Sequence, residues 1–168
     1  AILLAGSFLL ISDPDQEIRF DYEGNLDFGV IVLRDKFGYV YMAGTGLSDS
    51  DGKDFIVAKY NSSLTTEFWR KSYDGPDSED DEVNGMTLDD AGNVYVCGTS
   101  AGDGTNNDIA VIAYRSSDGE VLWPDSGGIF HNGAARYNRI ENSVSLDDYA
   151  TGICIDASGN LCVSGHTV

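Results

Sequence analysis

The chain has 168 residues, with 28 acidic side chains against ten basic ones, a formal net charge of −18 and a pI near 4.1. Phosphate contact needs clustered Lys and Arg, so this balance argues against nucleic-acid binding. The length allows one domain with a real core. Twenty Gly and nine Tyr, with no helix-length amphipathic stretch, suit short strands and tight turns.

Residues 1–12, AILLAGSFLLIS, are apolar but too short to span a bilayer, and no basic segment precedes them. Residues 2–7 resemble residues 94–99, so they read as the glycine-terminated strand of a degenerate repeat, with a signal-peptide remnant as the alternative. With no initiator Met, the chain is expected to be processed or part of something longer.

Residues 35–46 read DKFGYVYMAGTG, and the pattern returns at 89–100 as DDAGNVYVCGTS and at 156–167 as DASGNLCVSGHT. The first step is 54 residues, kept by Asp54 with Asp108, Tyr60 with Tyr114 and Trp69 with Trp123. The second is 67, kept by Asp80 with Asp147 and Asp81 with Asp148. The 13 extra residues must lie between Trp123 and Asp147. Such self-similarity marks stacked supersecondary units.

In the clearest copy, residues 83–88 form a strand and residues 89–93 a turn of Asp, Gly and Asn. A strand over residues 94–97 follows, stopped by Gly98, and then a polar loop over 99–107. A third strand runs over 108–114, a turn over 115–119, and a fourth strand over 120–123. VYVC, DIAVIAY and DFIVAKY are apolar on both faces, whereas a sheet with one wet face alternates. Four-stranded antiparallel sheets stacked face to face cover both faces, so the expectation is an all-β chain of β-propeller blades. Val94, Val96, Ile109, Val111 and Trp123 should be buried, with Trp69 and Trp123 wedged between sheets. The division is a partial blade over 1–27, a blade over 28–79, a blade over 80–146 with the insertion near 124–146, and two strands of a blade over 147–168. About three repeats cannot close a ring alone, so remaining blades of a longer chain, or self-association into a ring or fibre, should cover the apolar faces.

Asp49, Asp51 and Asp54 place carboxylates beside Gly52, and such a loop can wrap oxygen ligands around Ca²⁺; a plain turn is the alternative. Asp103 and Asp108 are its weaker counterpart, with Thr105 in place of Asp51. The acidic run over residues 77–82 reads as a solvated loop, with a cation site as the alternative, and Asn61-Ser62-Ser63 as a formal sequon or simply a turn. His131 and His166 stand in no metal spacing, and Cys97 has no evident partner. Cys154 and Cys162 should face each other across a turn, as two small apolar residues or as a disulfide. No organic cofactor is expected.

GNVYVCGTS, NNDIAVIAYRSSDGEVLW and WRKSYDGPDSEDDEVNGMTLDDAGNVYV resemble the bacterial and archaeal SBBP-type β-propeller repeat, over roughly residues 28–168. The resemblance implies one blade per repeat and a secreted or surface-attached protein, and it brings no catalytic residues. A weaker similarity links residues 114–123 to the tryptophan-docking turn of quinoprotein propellers and residues 116–123 to the sialidase Asp-box. The resulting expectation is a non-catalytic extracellular structural or adhesive module. The alternatives are a propeller that binds surface polysaccharide or protein, and a fragment of a quinoprotein-like enzyme.

Overall fold

The computed structural model describes residues 8–10, 18–20, 27–47, 52–104, 106–123 and 130–168. No helix occurs among them, and so none is long and apolar enough to cross a membrane. A short antiparallel pair, β1 (Phe8–Leu10) with β2 (Ile18–Phe20), comes first. The strand expected within residues 2–7 lies outside the described residues.

The first complete blade follows as an antiparallel sheet of β3 (Asp27–Arg34), β4 (Val40–Leu47), β5 (Lys53–Tyr60) and β6 (Glu67–Tyr73), in that order. The second blade starts with β7 (Asp81–Leu88), β8 (Val94–Ala101) and β9 (Asn107–Tyr114). It continues through β11 (Ala134–Tyr137), which pairs with β9, and is edged by β10 (Phe130–His131). A small hairpin, β12 (Ile140–Glu141) with β13 (Val144–Ser145), leads to β14 (Asp148–Ile155) and β15 (Leu161–Thr167). This last antiparallel pair stacks on the second blade through Ala150, Ile153 and Leu161. These are blades of an incomplete β-propeller, and the described residues form no closed ring.

The repeated turn explains each first hairpin. Asp35 Oδ1 accepts the N–H groups of Phe37 and Tyr39, Asp89 Oδ1 those of Ala91 and Asn93, and Asp156 Oδ1 those of Ser158 and Asn160. Gly38, Gly92 and Gly159 all take positive φ, from 82° to 94°, which a glycine adopts without a Cβ penalty. Each first strand also carries a register shift at the same repeat position, Gly29/Ile31, Val83/Gly85 and Ala150/Gly152.

The fourth strand of the second blade differs from expectation. Residues 120–123 contribute only a bridge, Tyr114 to Val121, at the position where Tyr60 meets Glu67 in the first blade. Pro124 then stands where the repeat has Arg70, and it brings no N–H for the ladder. The ladder resumes with Ala134 opposite Ile112, where a 54-residue step would put residue 124. Ten of the extra residues therefore interrupt the outermost strand. The other three fall between Tyr137 and Asp148, the stretch that carries the β12–β13 hairpin.

Gly98 does not stop its strand either, since β8 runs through it to Ala101. A Cβ there would lie 2.3 Å from the Phe55 ring and 2.2 Å from the Glu82 carbonyl oxygen. Gly165 is its counterpart in β15, where a Cβ would meet Ile109 Cδ1 at 2.5 Å. Phe55 and Ile109 hold the same repeat position, so each glycine is a notch that admits a side chain of the preceding blade.

The main core fills the contact between the two blades. Tyr41, Phe55, Val57, Trp69 and Tyr73 of the first pack on Val83, Val94, Val96, Ala110, Ile112 and Tyr114 of the second. Trp69 is wedged there as expected, its Nε1 donating to the Ser116 carbonyl at 3.1 Å. Val94, Val96 and Val111 are buried, whereas Ile109 and Trp123 are half-buried against the β14–β15 unit.

Candidate functional site

The carboxylates that matter sit at one end of the contact between blades. Strand alternation turns Asp81, the first residue of β7, inward to 0% exposure. Its neighbours Asp80 and Glu82 point out and hold Lys53 Nζ at 2.8 and 3.0 Å. The run over 77–82 is thus not simply a solvated loop. Asp81 Oδ2 accepts the N–H of Gly75 at 2.6 Å, two residues beyond the last residue of β6. Asp148, at the same repeat position, accepts the N–H of Arg139 at 2.5 Å, two residues beyond β11. An aspartate at the start of the second blade and another at the start of the β14–β15 unit therefore clasp the chain leaving the blade before.

The two clasps then diverge. At the second, Thr167 Oγ1 donates to Asp148 Oδ1, so both carboxylate oxygens are satisfied. At the first, the matching hydroxyl of Ser100 accepts from Arg136 Nη1 at 2.6 Å, and Asp81 Oδ1 is buried without a hydrogen-bond donor. Asp54 and Asp74 join Asp81 there, one carboxylate oxygen of each lying within 4.8 Å of the others. Asp74 Oδ1 is likewise buried without a donor. Burial is the main cause that pushes the Asp81 pKa up to about 6, against the opposing pull of Ser100, the Gly75 N–H and Arg136, while Asp74 adds to the rise.

A pH dependence follows. The folded pKa of Asp81 lies about two units above the ~3.9 of an unfolded aspartate, so the native state keeps the proton longer. In metal-free buffer this group makes stability fall as pH rises from about 4 to about 6, by roughly 3 kcal/mol at ~1.4 kcal/mol per unit. Urea midpoints across that range should show the fall relative to Asp81→Asn. Parallel curves for the two proteins would refute it.

Arg136 is the second element of the site. It comes from β11 and reaches toward the first blade. Its guanidinium donates to Tyr73 Oη at 3.0 Å, Ser100 Oγ at 2.6 Å, the carbonyls of Ser100 and Ala101 at 3.0 Å, and Asp108 Oδ2 at 2.9 Å. The Arg136 and Asp108 side chains are only 9% and 6% exposed.

Of the candidate calcium residues, Asp49 and Asp51 lie outside the described residues. Asp54 is buried and grouped with Asp74 and Asp81. Asp103 is exposed, Asp108 is held by Arg136, and neither belongs to a carboxylate group of three among the described residues. Cys154 and Cys162 are directly opposite in the register, exposed, and free thiols; Cys97 is buried, and burial pushes its pKa up to about 11. His166 is exposed and stacks on Tyr149, with ring centroids 5.3 Å apart; the side chain of His131 lies outside the described residues. Asn61 closes its own turn, its Oδ1 accepting the Thr65 N–H at 2.8 Å. Asp81 and Arg136 were missed as inward-facing groups. The recurrence of aspartate at 27, 81 and 148 was the available signal for the clasp, and no repeat signal exists for Arg136.

A family model described as the SBBP beta-propeller repeat matches residues 75–104. The matched segment of the SBBP repeat runs from the clasp at Gly75 through Asp81 and the turn at Asp89 to the Gly98 notch, so it holds much of what joins one blade to the previous one. No curated protein matches the chain.

Proposed function

We propose that the chain serves as a non-catalytic structural or adhesive repeat module of an extracellular or cell-surface propeller, packed against further blades of its own protein or of a second copy. The observation that carries this reading is a cavity of about 540 Å³ over the outer half of the second blade, lined by Ile109, Val111, Ala135, Tyr137 and Val163 among others. At the equivalent place on the first blade, Phe55 and Val57 are fully covered by the blade that follows. An apolar face of this kind is what a third and fourth strand of a next blade would cover. Sedimentation of the purified chain should show association beyond 18.1 kDa, or uptake of an apolar dye that Val163→Asp reduces, since Val163 is the exposed valine of that lining. A monodisperse monomer that takes up no dye would overturn the reading.

A second reading, binding of surface polysaccharide or protein, is favoured by one exposed aromatic group. Phe37 is 65% and Phe68 51% exposed, and Tyr39 meets Phe68 edge to face with ring centroids 5.5 Å apart. Lys59 Nζ lies 4.3 Å from the Tyr39 ring centroid. Loss of glycan or protein retention on Phe68→Ala would support this second role.

A further inference from the structure

We propose that Asp54, Asp74 and Asp81 bind a divalent cation, calcium by their all-oxygen ligand set, at the corner where the second blade docks on the first. One carboxylate oxygen of each lies within 4.8 Å of the others. Calcium–oxygen bonds run about 2.3–2.6 Å, so ligands on opposite sides of one ion sit about 5 Å apart or less. Asp81 is fully buried and its Oδ2 is engaged by Gly75, which leaves Oδ1 as the oxygen it can offer. Asp74 Oδ1 is buried and equally without a donor. Among the described residues, neither Asp74 nor Asp81 has a basic group within salt-bridge distance. Arg136 is close enough to Asp81 to favour its ionised form, but its N–H groups are engaged by Tyr73, Ser100, Ala101 and Asp108.

The chain contains its own control. The equivalent positions at the next corner are Asp108, Asn138 and Asp148. There Asp108 is neutralised by Arg136, the middle carboxylate is an amide whose Oδ1 accepts from Ser145, and both oxygens of Asp148 take protein donors. At the second corner the protein supplies a guanidinium to Asp108 and a donor to each oxygen of Asp148. At the first it gathers three carboxylates and leaves two buried oxygens unspent, an arrangement that a buried cation completes and that otherwise costs desolvation and repulsion. This inference does not depend on the role proposed above.

The test is calcium titration of the whole chain after chelator treatment, followed by calorimetry and by thermal unfolding. Calcium should bind saturably and raise the melting temperature, magnesium should do so less, and a chelator should reverse the shift. Asp74→Asn should weaken calcium binding at least tenfold, and it should fold, because Asn138 already occupies the equivalent position. Asp103→Asn, at an exposed residue, should leave the response intact. No binding heat and no thermal shift at millimolar calcium would overturn the proposal. So would an undiminished response in Asp74→Asn, and an equal response to magnesium would overturn the choice of calcium.

Discussion

Arg136→Ala is expected to lower the unfolding free energy by about 3–5 kcal/mol, the cost of removing one partner from a buried ion pair. The loss is large because the guanidinium serves several acceptors at once. Truncation leaves the Asp108 carboxylate without its cation, and it also removes the donors to the Ser100 and Ala101 carbonyls and to Tyr73 of the neighbouring blade. Arg136→Lys should recover only part of the loss, because a single ammonium cannot reproduce the planar fork. Urea unfolding would measure both variants. A loss below about 1 kcal/mol for the alanine variant would mean that water replaces the guanidinium and that the network is not a joint.

Gly98→Ala should destabilise by about 3 kcal/mol, at the upper end of overpacking costs. One of the two atoms met by the new Cβ is a side-chain ring, Phe55, and the other is the backbone oxygen of Glu82. The ring can move only by disturbing the main core, and the carbonyl only by breaking the β7–β8 ladder. Phe55→Ala in the same chain should rescue part of the loss, since it clears the ring but not the carbonyl. Full additivity of the two substitutions in denaturant unfolding would show that the notch and the ring do not interact.

Features written locally in the sequence were readable from it. The Asp-x-x-Gly turn needs only a carboxylate, a glycine and two backbone N–H groups a few residues apart, and it recurs at Asp35, Asp89 and Asp156. The apolar character of both strand faces led to stacked sheets for the same reason. The outermost strand of the second blade was misplaced because Val121 and Trp123 look like strand residues, while the ladder they would extend is completed by a segment ten residues later. Gly98 reads as a stop in the sequence because an isolated glycine carries no record of what lies over it, and only the neighbouring sheet supplies Phe55. The acidic residues were hardest to read. Asp81 is one of several carboxylates in a run, and only the phase of a strand decides which one turns inward. Its companions Asp54 and Asp74 come from two other places in the chain, so their meeting was not visible in any single stretch.

The notch of a blade and the side chain that it inserts into the next lie on opposite faces of its sheet. The second blade takes Phe55 into Gly98 on one side and sends Ile109 toward Gly165 on the other. A blade is therefore polar, with a receiving face and an inserting face. Two copies whose two-fold axis passes through their contact would set like against like, notch on notch or inserted side chain on inserted side chain, and neither pairing fills the gap. Growth of such an array has a direction, and each newcomer can join only in the orientation of the blade before it.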